Sequence, residues 1–343
     1  MFNTEFDLYE DSGYLNVSGI FAYGTTFNFI VGGRGIGKTY GLLKYILKYN
    51  IKSIYLRRTQ KQTDIINKRE FSPFKPVCAD LNIEYDQKLI ARDTAALIID
   101  DEIKCYTGAL STFSALRSFD MSDVECIIFD EFIPEISDKT SIKHEYEAFL
   151  NMYETVNRNR ELNGRDPVKL IAAANSNNLN NKIFMGLGII SALDNMIRKE
   201  KEVLHIDDRS ISVYYPLHSP ISERKADTAL YKLAGDNDFS AMALSNSFGI
   251  DESDIINRPL KEFKPVVNVG EVCIYKHKGI SNFYYVSRVL ARGSAPVYAA
   301  TDRQIAQFKE RYRMIEYCYL FSDNFYFDSI FSKTVFSSYI KDF

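Results

Sequence analysis

The sequence predicts an α/β fold with a mostly parallel sheet, joined through a helical stretch to a small α+β domain. Three observations carry this. Strand-like apolar runs alternate with helical stretches and loops from Thr26 to about Tyr215. A glycine-rich stretch sits between the first such strand and the first such helix. Strand patterns then lapse between Ser219 and Asn257 and return after Pro259. The implied boundaries are residues 1–216 for the large domain, 217–258 for the helical linker and 259–343 for the small domain.

In the large domain Phe27–Val31 reads as a buried strand, Lys38–Tyr49 as a helix and Ser53–Arg57 as a second strand. Ala96–Ile99, Cys126–Phe129 and Leu170–Ala174 are further strands, and Ser111–Phe119 is a helix. His144–Asn157 sets Tyr146, Phe149, Leu150 and Tyr153 at helical spacing. In the small domain Glu271–His277, Phe283–Leu290 and Val297–Ala300 read as strands, the first two joined by a turn at Lys278-Gly279. Asp302–Tyr312 reads as a helix capped by Asp302, Ile315–Phe321 as a fourth strand and Asp328–Ile340 as a closing helix, a β-β-β-α-β-α order.

Composition narrows the function classes. At 343 residues, 46% hydrophobic and 14% aromatic, the chain can bury a sizeable core. The 42 basic against 45 acidic residues give a net charge of −3, which excludes coating nucleic acid by bulk charge; any such contact has to be local. The five cysteines are scattered without a C-x-x-C pair and read as reduced, buried thiols. Met1 to Glu10 does not read as a signal peptide, and no apolar run is long enough to span a bilayer, so no membrane partner is expected.

Gly32-Gly33-Arg34-Gly35-Ile36-Gly37-Lys38-Thr39 meets the pattern G-x-x-x-x-G-K-[ST]. Its glycines let the backbone wrap a phosphate with N–H groups pointing inward, and the helix N-terminus adds partial positive charge. In that role Lys38 reaches the β- and γ-phosphates of ATP and the Thr39 hydroxyl ligates Mg²⁺. The alternative is a glycine-rich turn that merely joins strand to helix.

A phosphate loop needs a partner strand ending in Asp, to hold Mg²⁺ through water. In the subgroup that hydrolyses ATP unaided (ASCE-type), Glu follows directly and polarises the attacking water. Leu97-Ile98-Ile99-Asp100-Asp101-Glu102 and Cys126-Ile127-Ile128-Phe129-Asp130-Glu131 both qualify. The first sits among turn-like triplets in Leu89–Gly108, as in a β-meander whose aspartates are exposed turn residues. The second has the apolar run of a central parallel strand. Asp130 and Glu131 are therefore the preferred pair.

Arg158 and Arg160 follow the helix ending at Asn157, either as ordinary C-terminal capping cations or as an arginine finger acting on a neighbouring subunit. Asn175 ends the strand Leu170–Ala174, as a turn former or as a γ-phosphate sensor. Arg57 and Arg58 close the second strand, near the nucleotide or in a surface salt bridge. The loop Ser137–Lys143, with Lys139 and Lys143, is one candidate pore loop if the chain assembles into a ring.

Taken together, these stretches resemble the genome-packaging ATPases of phi29-like bacteriophages, the encapsidation proteins. The matching stretches are Phe29–Thr39, Ile54–Arg58, Ile127–Phe132 and Thr155–Glu161, with Asn175 after its strand. The resemblance covers Thr26–Asn177 and rests on their joint occurrence. It implies a terminase-like motor, a ring of identical subunits (a homopentamer) at the portal of an empty capsid, driving double-stranded DNA inward with ATP and Mg²⁺. It places the protein in the host cytoplasm and transiently at the portal vertex, with a packaging RNA as a further partner where the phage has one. By position Asp130 coordinates the metal, Glu131 is the catalytic carboxylate, and Arg158 is the trans-acting finger with Arg160 beside it. Gln60-Lys61 departs from the basic residue expected shortly after Arg57-Arg58. The resemblance also implies an RNase H-like C-terminal domain without nuclease activity, since Glu271–Lys276, read as its first strand, lacks a central acid. Asp302 and Glu316 read there as a helix cap and a solvent-facing strand residue, and Lys276, His277, Lys278, Arg288, Arg292 and Arg303 as docking residues for nucleic acid or portal. The competing functions are a ring helicase or recombinase and a non-motor scaffold that ATP merely locks.

Overall fold

The computed structural model describes residues 7–134, 142–175, 181–217, 219–234, 254–293, 295–322 and 324–340. It forms two compact units, Met1–Ile183 with Met196–Gly249, and Phe184–Asn195 with Ile250–Phe343.

The first unit is built on a nine-stranded sheet. Its strands are β1 (Phe27–Val31), β2 (Ser53–Arg57), β3 (Asp86–Ala91), β4 (Thr94–Ile99), β5 (Glu102–Ala109), β6 (Cys126–Asp130), β7 (Lys169–Ala174), β8 (Val203–Ile206) and β9 (Ile211–Tyr214). They lie in the order β3-β4-β5-β2-β6-β7-β1-β9-β8. From β5 to β9 every neighbouring pair is parallel, and at the edges β4 and β8 run against them while β3 pairs antiparallel with β4. Both faces of the parallel strands are covered, which is why β6 is buried along its whole length and reads as an unbroken apolar run. On one face Leu42, Leu43 and Ile46 of α1 (Lys38–Lys48) pack with Tyr55 and Ile128, and with Phe74 and Val77 of a helix at Phe74–Asp80. On the other, Phe149 of the helix Glu145–Asn157 meets Phe29 and Phe129, whose rings also meet Phe132.

β3, β4 and β5 form the expected meander, and Asp100 and Asp101 turn between β4 and β5 with φ of 52° and 62°. Two successive left-handed residues suit the two-residue hairpin turn that matches strand twist, and Asp tolerates them. The helix expected over Ser111–Phe119 is instead a 3₁₀ run, Leu110–Ser118. Ser111 Oγ accepts from the Gln60 backbone N–H and Thr112 Oγ1 donates to Gln60 Oε1 at its start, polar commitments of the kind that compete with a regular helix. The segment after β9 supplies two short helices, Pro220–Ala226 and Ala229–Ala234.

The second unit carries a five-stranded sheet, ordered β13-β10-β11-β12-β14. These are β10 (Phe263–Val269), β11 (Val272–His277), β12 (Tyr284–Ser287), β13 (Val297–Tyr298) and β14 (Phe325–Phe327), with helices at Asp302–Arg311, Arg313–Phe321 and Ile330–Ile340. Three sequence expectations fail here. A strand, β10, precedes the one expected as first; Pro265 inside it shifts the register to β11 and masks the pattern. Ile315–Phe321 is helical, because Ile315 and Cys318 point inward three residues apart while Met314, Tyr317 and Phe321 face out. Short apolar runs of this kind fit either period. The helix at Asp302 is capped by Thr301, whose side chain accepts from the Gln304 N–H, so Asp302 is its first residue and Glu316 lies on a helix. The order is thus four strands, two helices, a strand and a helix. Among the described residues no helix is long and apolar enough to cross a membrane.

Candidate nucleotide-phosphate site

In a parallel sheet with helices on both faces, ligand sites form beyond the carboxyl ends of the strands. β7 lies between β1 and β6, so three strand ends converge there: the loop after β1, Asn175 after β7, and Asp130-Glu131 at the end of β6. The loop after β1 turns through Gly35 (φ 75°) and Gly37 (φ 90°), both in the region that L side chains avoid. Lys38 opens α1 directly after it. Its side chain is 4% exposed, and Nζ donates to the carbonyls of Gly32 (2.8 Å) and Gly33 (2.7 Å). Burial pulls the ammonium down to about 7; Asp130 opposes this, while Lys225 and Arg34 add to it by repulsion.

Asp130, 3% exposed, joins the strand ends. Its Oδ2 accepts from Thr39 Oγ1 (3.0 Å) and from the Tyr55 hydroxyl (2.6 Å), and lies 3.5 Å from Arg57 Nη1. The register explains the tyrosine. Tyr55 pairs with Ile128, two residues before Asp130, so both side chains share a face as diagonal neighbours. Burial and the adjacent carboxylate raise the Tyr55 pKa well above its ordinary value, keeping the phenol protonated as a donor. Glu131 breaks from the strand with φ 55°, a left-handed conformation that costs a non-glycine residue about 1–2 kcal/mol. The Glu131 N–H donates to Asp130 Oδ1 (3.2 Å), and its Oε2 lies 2.6 Å from Arg57 Nη1.

Asn175 sits at the foot of the loop. Ala174 pairs with Val31, and the Gly32 N–H donates to the Ala174 carbonyl (3.2 Å), leaving Asn175, half-buried, as the next residue between the loop and β6. Ser176 and Asn177 fall outside the described residues, as do Ser137 to Ser141 of the candidate pore loop.

Arg158 and Arg160 are not part of this convergence. Arg158 follows its helix with φ 46° and donates from Nη2 to the Phe119 carbonyl (3.1 Å). Arg160 Nη1 donates to the Val124 carbonyl, and Asn157 Oδ1 accepts from the Val168 N–H just before β7. Those contacts lie at the amino ends of β6 and β7. Val124 and Asp130 are six residues apart, roughly 20 Å of extended strand.

The two arginines closing β2 have different tasks. Arg58 is no surface residue: it is 2% exposed and grips Glu145 through Nε (2.6 Å) and Nη2 (3.0 Å), pinning the start of the Glu145–Asn157 helix. Arg57 faces the acidic pair. Sequence reasoning missed Tyr55, whose signal is its parity with Arg57 on a strand beside β6, and Lys225, which has no local signal at all.

The residues suit a magnesium–nucleotide ligand. Two neighbouring ligands of an octahedral Mg²⁺ at 2.0–2.1 Å stand about 2.9 Å apart. Thr39 Oγ1 and Asp130 Oδ2, hydrogen-bonded at 3.0 Å, stand close enough to be neighbouring ligands of one ion.

The sequence profile of the podovirus DNA encapsidation protein family (Gp16) matches residues 9–325. The DNA packaging protein of Bacillus phage phi29 is 27% identical over 265 residues, covering 76% of this chain and 73% of that protein. That of Bacillus phage B103 is 27% identical over 252 residues, 72% of each chain. Two solved structures share the fold at 19% identity: the phi28 gp11 DNA packaging motor (TM-score 0.65, covering 96% of this chain and 98% of that one) and the phi29 viral genome packaging motor assembly (TM-score 0.66, 98% and 100%).

Proposed function

This chain belongs to the podovirus DNA encapsidation protein family, and we propose that it is an ATP-hydrolysing motor that drives double-stranded DNA into a preformed capsid. The observation that carries this reading is the hydrogen bond from Thr39 Oγ1 to Asp130 Oδ2, which couples the phosphate loop to an acidic strand end that also bears Glu131. Gly32, Gly33, Arg34, Gly35, Ile36 and Gly37 hold the phosphates through backbone N–H groups. Lys38 exchanges its two carbonyl acceptors for phosphate oxygens, and Thr39 and Asp130 hold Mg²⁺, which neutralises charge on the β- and γ-phosphates. Glu131 accepts hydrogen bonds from the attacking water and orients it, once Arg57 yields the carboxylate. Asn175, between the loop and β6, senses the γ-phosphate.

Arg158 acts in trans. Its place at the amino edge of the sheet puts it out of reach of its own subunit's phosphates and favours a ring in which it, with Arg160 beside it, meets the next subunit's site. We take the ring as a homopentamer at the capsid portal, in the host cytoplasm, with a packaging RNA as a further partner where one exists. The C-terminal unit docks rather than cuts, since neither β10 nor β11 contains an Asp or Glu.

The test is ATPase activity with and without duplex DNA. Wild type should be DNA-stimulated, and Glu131→Gln should bind nucleotide yet hydrolyse it at least ~100-fold more slowly. Normal hydrolysis by Glu131→Gln would remove Glu131 from its role. Single-strand unwinding would point to a helicase, and binding without turnover to a scaffold. Mixing Arg158→Ala with Lys38→Ala subunits should restore part of the activity that each lacks alone; no rescue would sink the trans assignment.

A further inference from the structure

The segment after β9 arches over the phosphate loop. Pro216 lies against Gly32, where an added Cβ would meet its Cγ at 3.2 Å. Nine residues on, Lys225 of the Pro220–Ala226 helix brings Nζ to the apex of the loop and donates to the Arg34 carbonyl at 2.5 Å. A Cβ on Gly35 would stand 1.8 Å from that Nζ and 2.9 Å from Cε, so the lysine fills the space that this glycine leaves. The ammonium is half-buried, and burial depresses its pKa. It also repels Lys38, as does Arg34. Asp130 and Glu131 offset part of this repulsion at Lys38, and a phosphate held at the loop would offset more of it.

We propose that Lys225 is a cis phosphate ligand of the nucleotide site, carried by the helix Pro220–Ala226, so that the position of this helix follows the phosphates in the loop. The proposal rests on the nucleotide reading above and adds to it a residue and a direction of coupling. A triphosphate supplies more negative charge at the loop than a diphosphate, and it draws Lys225 more strongly. When the γ-phosphate leaves, the lysine keeps one carbonyl acceptor, and the helix is held by less. The chain runs from this helix into the second unit, whose main part begins at Ile250. Phosphate content at the loop is thereby passed to the segment that leads out of the first unit.

Titration of full-length protein with fluorescent MgATP and MgADP analogues tests this. Lys225→Met should weaken ATP binding about tenfold and ADP binding by less than about twofold, the size of one charge-assisted hydrogen bond. Lys225→Arg should retain most of the ATP affinity. Amide exchange over residues 220–226 should slow more with a non-hydrolysable ATP analogue than with ADP in wild type, and equally with both in Lys225→Met. An unchanged ATP-to-ADP affinity ratio in Lys225→Met, or equal protection by the two nucleotides in wild type, would overturn the proposal while leaving the ATPase reading intact. If wild type bound neither nucleotide, or Lys38→Ala bound both normally, the ATPase reading and this proposal would fall together.

Discussion

Two stretches of the first unit have nearly the same local chemistry and opposite fates. β4 runs into Asp100-Asp101-Glu102 and β6 into Asp130-Glu131; both strands are apolar, and both are followed directly by acidic residues with positive φ. β4, however, is antiparallel to β5, which is parallel to β2 and β6. Its end therefore points to the opposite edge of the sheet from the phosphate loop, and its aspartates are exposed turn residues. Asp130 is buried among Thr39, Tyr55 and Arg57. Strand direction, rather than the acidic residues themselves, makes one end a candidate site and the other a turn.

The widest separation between the two should appear in turnover. Asp130→Asn and Glu131→Gln should each lower kcat at least ~100-fold, whereas Asp100→Asn, Asp101→Asn and Glu102→Gln should stay within about twofold. Steady-state ATPase assays decide this, and a loss at Asp101 equal to that at Glu131 would erase the distinction. Stability should divide the same way. Tyr55→Phe removes a hydrogen bond to a buried carboxylate and should cost about 1.5–3 kcal/mol in urea unfolding, against at most ~0.5 kcal/mol for Asp101→Asn. Equal costs would mean that Tyr55 does not support Asp130.

Lys38 adds a pH signature that the turn lacks. With its pKa depressed to about 7, it is largely neutral at pH 8, while bound phosphate favours the ammonium. Nucleotide binding above pH 7 should therefore take up a proton, and affinity should fall by up to about tenfold per pH unit towards pH 9. Calorimetry in two buffers of different ionisation enthalpy measures the uptake; affinity flat from pH 7 to 9 would contradict it. The smallest effect belongs to the turn. Asp101→Gly relieves a positive φ but loosens the unfolded chain, so it should shift stability by no more than about 1 kcal/mol and leave ATPase activity unchanged.

Much of this was legible beforehand, for identifiable reasons. β1, β2, β6 and β7 are apolar runs bounded by polar turns, and the glycine spacing of residues 32–39 has one good structural use. The meander was legible from the turn chemistry around Asp93 and Asp100. The small unit is less legible, because Pro265 interrupts β10 and because Ile315–Phe321 is too short for its period to be decided without knowing which side chains are covered.

Local chemistry alone specified the candidate phosphate loop, since a glycine at positive φ before Lys-Thr and a helix start are properties of neighbouring residues. The loop's partners were another matter. Asp130 and Thr39 are 91 residues apart, and Arg34 and Lys225 are 191 apart. Their meeting depends on strand order and direction, which arise from how the whole sheet buries its faces and which no short window of sequence contains.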